Sequence, residues 1–338
     1  MRKPKAPTAP TLEMVGAHAG VSRATVSRVV NGSPKVSEEI ARSVRASITE
    51  LGYVPNRAAR SLASKQAHAI ALVVPEDMTR LFGDLYLATI IVGINDRLQE
   101  SDYVLNLMVA STDPQGKTMR YLQGGNVDGA LVVSHHTADT FLSVLTKTIP
   151  VVFGGRPAAG IEGGYVVDVD NVAGARTATE RLISTGRKNI ATITGPKDMR
   201  VGSEREAGFL LALADAGLAP GPIVEGDFTL RGGAAAVRTL LERDPTVDGI
   251  FVASDSMAAG AIPVLRSMGI RVPEDIALVG YDDSDAATST DVPLTTVRQP
   301  SEQMGAAMAD ILINVLNGRE DLPRTTILPT ELIVRSSG

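Results

Sequence analysis

Residues 21–32 run Val-Ser-Arg-Ala-Thr-Val-Ser-Arg-Val-Val-Asn-Gly. Ser22 is a good N-cap, with Thr25 three residues on, and Asn31-Gly32 is a stop signal, so the stretch predicts a short helix. Val26, Val29 and Val30 fall at i, i+3 and i+4 and make one apolar stripe, while Arg23, Ala24, Ser27 and Arg28 lie off it. The helix therefore buries one side and offers small and basic groups on the other. Just before it, Met14 to Val21 reads as a helix end followed by a tight Ala19-Gly20 turn, which completes a helix-turn-helix pattern.

Upstream, Thr11 caps the first helix and Glu13 sits in its positive first turn. Residues 1–10 are basic and Pro-rich without an apolar core, which predicts a disordered arm and no secretory signal. Downstream, Ser33-Pro34-Lys35 is a loop, Ser37 caps a third helix, Glu38 and Glu39 complement its N-terminus, and Ile40, Val44, Ile48 and Leu51 form its stripe up to Gly52. After Pro55, Asn56 can cap a helix of barely two turns, Arg57 to Ala63. A helix that short is marginal alone. It is either a linker turn or a segment that folds only when DNA or a partner subunit holds it.

Composition narrows the class. The chain has 338 residues, no Cys, no Trp and 4% aromatics, so Val, Ile, Leu and Ala fill the core, and disulfide and thiolate-metal chemistry are excluded. No apolar run reaches the ~18–20 residues of a membrane span. The net charge of −5 is unevenly placed: residues 1–66 carry 11 Lys/Arg against 4 Asp/Glu, and the remainder 22 against 34. A basic head on an acidic body is the footprint of a nucleic-acid reader carried by something else.

From Ala69 the pattern becomes strand-helix alternation. Strands are predicted at Ile70 to Val74, Val104 to Met108, Ala130 to Val133 and Val151 to Phe153, with a helix over Asp84 to Gln99. A second series starts with Tyr165 to Val167 and continues with strands at Ile190 to Ile193, Gly249 to Ala253 and Ile276 to Val279. Its helices are Asn171 to Ser184, Glu204 to Ala216, Gly232 to Leu241 and Asp255 to Met268. A helix over Ser301 to Asn317 and short strands near Thr326 to Leu328 and Leu332 to Val334 end the chain. Two such series predict two doubly wound lobes with parallel sheets, whose strand C-termini face a cleft suited to a small ligand.

These motifs resemble the LacI/GalR family of bacterial transcription regulators over nearly the whole length, Thr11 to Arg335. The resemblance rests on Gly20-Val21-Ser22-x-x-Thr25-Val26-Ser27-Arg28-Val29-Val30-Asn31-Gly32 and Leu51-Gly52-Tyr53-x-Pro55-Asn56-x-Ala58-Ala59-Arg60-x-Leu62. It continues through Gly195-Pro196, Arg205-x-x-Gly208-Phe209, Ser254-Asp255-x-x-Ala258-x-Gly260, Val279-Gly280-Tyr281-Asp282-Asp283 and Pro293-Leu294-Thr295-Thr296-Val297-x-Gln299. It implies an all-α helix-turn-helix head and an α/β effector body of two doubly wound parallel-sheet lobes, periplasmic-binding-protein-like. The expected division is a disordered arm at 1–10, the head at 11–55, a hinge helix and linker at 56–67, and an effector-binding and dimerisation body at 68–338. Within the body, the first lobe is expected at about 68–167 plus 300–326 and the second at about 168–299 plus 327–338.

The resemblance further implies a cytoplasmic, nucleoid-associated homodimer, a repressor that sets two recognition helices in successive major grooves of a near-palindromic operator under control of a small carbohydrate. Arg23 and Ala24 would meet base edges, Arg23 as a guanine fork worth ~1–3 kcal/mol of discrimination. Ser22, Thr25, Ser27, Arg28 and Asn31 would position the helix on phosphates. Ser22 and Thr25 could equally be caps alone, and Arg28 a solvated charge. Tyr53, Asn56, Arg57, Ala59 and Leu62 complete the DNA set, with Leu62 a wedge opening the central base step from a hinge helix paired with its dimer mate.

For the effector, motif matching implies Arg205, Ser254, Asp282 and Gln299. Phe228, Tyr86, Arg156 and Ser111 join them as an aromatic platform and further polar contacts. Phe228 could instead be core packing, Asp282 a turn cap and Arg156 a rim charge. Ser254 stands where the family most often has Asn, and Gly155 where some members have Asp. The Phe153-Gly154-Gly155-Arg156-Pro157 and Arg80-Leu81-Phe82 stretches resemble actinobacterial members that sense β-glucosides or oligosaccharides. His135-His136 invites a metal reading, but adjacent His on a strand end point opposite ways and no third ligand is apparent, so a loop or cleft-edge role is expected, with no metal or cofactor.

Two other function classes compete. A solute-binding transport protein fits the body but not the basic head or the missing signal peptide. An enzyme is disfavoured because no GxGxxG opens the first βα turn and neither a P-loop nor a Ser-His-Asp order is present. The chain ends at Gly338 without a leucine heptad tail, so a dimer is expected and not a tetramer.

Overall fold

The Thr11 side chain accepts the Met14 N–H at 3.3 Å and starts helix α1, Leu12–Ala19. Gly20, at φ 69°, ends it with a backbone bond to the Gly16 carbonyl. In this computed structural model, which describes residues 10–30, 33–54, 66–111 and 116–338, the second helix α2 spans Arg23–Val30 and the third, α3, Glu38–Leu51. The Ser22 hydroxyl accepts the Thr25 N–H at 3.2 Å, the N-cap predicted for α2. Val15, Val26 and Val44 are fully buried together with Tyr53, and Leu12, Ala19, Val21, Val29, Val30, Ile48 and Leu51 pack against them. Ile40 is 38% exposed, contrary to expectation, and Ala41 is buried in its place, while Val44, Ile48 and Leu51 face the core as the stripe requires.

The chain divides into two compact units, Met1–Ala67 and His68–Gly338. The second unit opens with β1 (Ala69–Val74), α4 (Met78–Gly83), α5 (Leu85–Leu98), β2 (Val104–Val109), α6 (Lys117–Gln123), β3 (Gly129–Val133), α7 (Leu142–Leu145), β4 (Val151–Gly154) and β5 (Tyr165–Val169). It continues with α8 (Asn171–Ser184), β6 (Ile190–Thr194), α9 (Arg200–Asp215), β7 (Ile223–Glu225), α10 (Leu230–Arg243), β8 (Gly249–Val252), α11 (Asp255–Ser267), β9 (Ala277–Asp282), α12 (Asp285–Thr288) and β10 (Thr295–Arg298). Then α13 (Ser301–Leu316), β11 (Thr325–Leu328) and β12 (Glu331–Ile333) complete it.

The strands form two six-stranded sheets, ordered β11-β5-β4-β3-β1-β2 and β12-β10-β9-β8-β6-β7. All pairings are parallel except β10 with β12. The interior strands β1 and β3 are buried at every residue, as strands covered by helices on both faces must be. Tyr165–Val169, predicted to start the second series, pairs with β4 and belongs to the first sheet. The chain thus passes between lobes after β5, after β10 and after β11.

Two glycines let α5 and α13 meet backbone to backbone. A Cβ on Gly93 would lie 1.9 Å from the Glu302 carbonyl oxygen, and one on Gly305 2.2 Å from that of Ile90. Among the described residues, no helix is long and apolar enough to cross a membrane.

Candidate functional site

The C-terminal ends of the strands of both sheets converge on a cavity of about 700 Å³, open mouth included, as strand polarity in doubly wound sheets requires. Arg205, on α9, lies at its floor and is 4% exposed. Its guanidinium lies 3.6 Å from the centroid of the buried Tyr281 ring. Its Nε donates to Asn171 Oδ1 at 3.0 Å and its Nη1 to the Ala253 carbonyl at 2.6 Å, with Asp282 Oδ1 at 3.5 Å. Packing and hydrogen bonds together leave this cation one orientation, facing the cavity.

Asp282 closes β9 and is held by Gln299 Nε2 at 2.6 Å. Burial pushes its carboxyl up to about 7, against the lowering effect of Arg205. Asp282 and Asp283 both have positive φ, 116° and 54°. Such strain gathers where surrounding structure fixes a functional backbone. The neighbouring Asp283 is instead held by ion pairs, accepting from Arg298 and Arg335 at 2.8 and 2.6 Å. Asp84, at the start of α5, is pushed up to about 6 by burial, opposed by Arg80.

Phe228 lies at φ 61° against Gly195: a Cβ at position 195 would sit 2.1 Å from Phe228 Cζ. The ring belongs to the second lobe's core cluster, lines the cavity, and has Arg80 and Arg205 at 5.6 and 6.0 Å from its centroid. Phe228 thus packs in the core and lines the cavity at once. Gly195→Ala must push this ring off its seat, at a cost of ~1–3 kcal/mol. In a urea double-mutant cycle most of that loss should vanish in a Phe228→Ala background; an equal loss in both backgrounds would refute the seat.

Seven of the predicted effector residues, Tyr86, Arg156, Arg205, Phe228, Ser254, Asp282 and Gln299, line this one cavity. Ser254 spends part of its hydroxyl as the N-cap of α11, accepting from Met257 N at 3.3 Å. Arg156 sits at the rim and pairs with Glu204 at 3.3 Å. Ser111 does not line the cavity and is exposed. It follows β2, the edge strand, whose C-terminal end lies beside the cleft and not over it. The lining also includes residues the sequence reading missed, among them Arg80, Asp84, Asp168, Asn171 and Glu204.

Every described guanidinium lining the cavity has a carboxylate partner: Arg80 with Glu76 at 3.1 Å, Arg156 and Arg200 with Glu204 at 3.3 and 2.8 Å, and Arg205 with Asp282 at 3.5 Å. Such a site has donors, acceptors and an aromatic face without a surplus of positive charge. That balance suits a neutral, hydroxyl-rich ligand better than an anion. Among the described residues, no group of three or more His, Cys, Asp or Glu could hold a metal ion.

In the head, Arg23 and Ala24 are exposed on α2, and Arg23 Nε lies 3.0 Å from Glu13 Oε1. Ser22 and Thr25 share a 3.0 Å hydroxyl contact within the cap, Ser27 is half-buried and Arg28 exposed. Tyr53, expected to contact DNA, is 8% exposed because its ring closes the head's core. Asn31, Asn56, Arg57, Ala59 and Leu62, with the hinge helix they imply, lie outside the described residues.

A family model described as bacterial regulatory proteins, lacI family, matches residues 11–56, and one described as a periplasmic binding protein-like domain matches residues 179–338. The HTH-type transcriptional regulator CelR of Thermobifida fusca is 46% identical over 97% of this chain and 98% of that protein. A solved transcriptional regulator CelR-cellobiose complex matches with a TM-score of 0.77 at 44% identity, covering 97% of this chain and all of that one. The lac repressor dimer bound to operator and the anti-inducer ONPF matches with a TM-score of 0.85 at 28% identity, covering 98% and 99%.

Proposed function

This chain belongs to the lacI family of bacterial regulatory proteins, and from that membership we propose that it is a repressor controlled by a neutral β-linked disaccharide such as cellobiose. It is a sequence-specific DNA-binding transcriptional regulator that works as a homodimer on a near-palindromic operator. The single observation that carries the effector assignment is the pairing of every described cavity guanidinium with a carboxylate beside the Phe228 ring. The ring would take the C–H face of a sugar, and Arg205, Asp282 and Gln299 its hydroxyls.

The ligand exerts control through its different affinity for DNA-competent and incompetent arrangements of the dimer. Residues 56–63 are where the sequence places the coupling helix. The solute-transport reading accounts for the cavity but leaves residues 11–56 unexplained. The protein acts by binding, in the bacterial cytoplasm with the chromosome, and no catalytic step is assigned to its residues.

Thermal unfolding with cellobiose, glucose and phosphorylated sugars tests the effector class, since a ligand at 100 times its Kd stabilises by ~2.7 kcal/mol. Cellobiose should raise the midpoint and shift the gel-shift titration on a palindromic operator. Stronger stabilisation by a phosphorylated sugar would overturn the neutral-ligand reading. At the DNA, Arg23→Ala should relax preference at one base pair per half-site by ~1–3 kcal/mol. Equal weakening on every sequence would make Arg23 a phosphate contact.

A further inference from the structure

His136, just past β3 in the first lobe, stands between carboxylates of different lobes. Its Nε2 lies 3.0 Å from Glu76 Oε1, which follows β1, and its Nδ1 2.9 Å from Asp198 Oδ2, which follows β6 in the second lobe. The two loops are joined again by the Thr137 N–H, which donates to the Asp198 carbonyl at 2.8 Å. A neutral imidazole has one N–H, so one of its two carboxylate contacts would set lone pair against lone pair. Only the imidazolium donates at both nitrogens.

We propose that His136 is a proton-loaded clasp that holds the two lobes together over the effector cavity and so ties effector affinity to pH. The proposal rests on the reading of the cavity as the effector site. The groups facing His136 are Glu76 and Arg80 from the β1–α4 stretch, Asp198 from the β6–α9 turn, and His135 and Asp139 from its own loop. Glu76 is 6% exposed, and its Oε1 also accepts from Ser134 Oγ at 2.6 Å, with Arg80 Nη1 at 3.1 Å, so it is fixed in place. Asp139 Oδ2 accepts the backbone N–H of His136 at 2.6 Å. His135 is pushed down to about 4 by burial and stays neutral near neutral pH. The surroundings are negative on balance, and His136 is held above its ordinary pKa by the Glu76 hydrogen bond first and by Asp198 in addition.

The sign of the linkage follows from which lobe holds which carboxylate. Separating the lobes removes Asp198 and leaves Glu76, so His136 binds its proton more tightly with the lobes together. Closure takes up a proton. Ligand binding that needs closure is therefore strongest on the acidic side and weakens as pH rises through the closed-state pKa of His136. The cavity carboxylates act oppositely, since Asp84 and Asp282, at about 6 and about 7, accept sugar hydroxyls better once ionised. Comparison with a His136 variant separates the two effects.

The test measures cellobiose binding to the full-length protein by calorimetry from about pH 6 to about pH 8.5, in wild type, His136→Gln and Asp198→Asn. Relative to both variants, wild-type affinity should fall roughly three- to tenfold across that range. Asp198 is 54% exposed, so Asp198→Asn serves if His136→Gln does not fold. Ring NMR of ¹³C-labelled histidine, assigned with His136→Gln, reads the clasp without ligand: the His136 pKa should drop in Asp198→Asn. The same pH profile in all three proteins, or a His136 pKa that Asp198→Asn does not move, overturns the clasp. If wild type fails to bind cellobiose at any pH while the His136 titration behaves as described, the effector assignment falls and the clasp stands.

Discussion

Arg205→Ala is expected to abolish effector binding and to lower the stability of the body by about 3–5 kcal/mol at neutral to alkaline pH. The guanidinium is 4% exposed and is held by the Tyr281 face, Asn171 and the Ala253 carbonyl. Truncation leaves Asp282, itself 9% exposed, with only neutral donors, Gln299 and the Asp255 backbone, to satisfy its charge. The same substitution opens a void beside Phe228 and takes the Arg205 donor from Asn171 Oδ1, so the loss has packing and electrostatic parts.

The pH dependence separates those parts. In the intact protein the Asp282 carboxyl has its folded pKa raised from 3.8 to about 7. The stability it contributes is therefore complete below its unfolded value and is lost as pH rises through about 7. Arg205 counters that rise, so its removal raises the folded pKa further and prolongs the loss to higher pH. The deficit of Arg205→Ala relative to wild type should accordingly be smaller at about pH 6, where Asp282 is protonated in both, than at about pH 8.5. Urea unfolding at the two pH values measures it. A deficit independent of pH would mean that Arg205 matters for packing alone and that Asp282 is not its electrostatic partner.

Arg205, Asp282 and Gln299 were legible as cavity-lining residues because each sits in a stretch that matches a family motif. Asp282 ends an apolar run, and a residue at the C-terminal end of an interior parallel strand faces the cleft. Ser111 failed because strand order does matter for it: nothing in Val104–Val109 says that this strand lies at the sheet edge. Asp84, Asp168, Asn171 and Glu204 were missed for a related reason. Asp168 and Asn171 reach the cavity because β5 pairs with β4 and the chain then crosses to the second lobe, while Asp84 and Glu204 reach it from helices that follow β1 and β6; these are long-range facts that local periodicity does not carry. Strands β7 and β10, of three and four residues, are too short for any alternation to show. The core role of Tyr53 was missed because an aromatic just past a helix-ending Gly fits either a surface contact or the closure of a small core, and its packing depends on Val15, Val26 and Val44.

That core sets the second large effect. Val26→Asp is expected to abolish operator binding at all accessible concentrations while leaving effector binding within about twofold of wild type. Val26 is fully buried, and Val15 and Val44 are the only other apolar side chains of the head's described residues at 0% exposure. At ~0.05–0.15 kcal/mol per residue, a head of this size has roughly 3–8 kcal/mol of stability. An unpaired carboxylate at the centre of this apolar cluster costs a comparable amount. Residues 23 and 24 stay in the sequence but lose the helix that presents them. Chain contacts place the head in a unit apart from His68–Gly338, so the cavity keeps its own core. Calorimetry should show the head's transition lost and the body's retained, with cellobiose still raising the latter. Retained operator affinity in Val26→Asp would show that the stripe of Val26, Val29 and Val30 does not hold the reading helix, while loss of the body's transition would show that the two units do not fold separately.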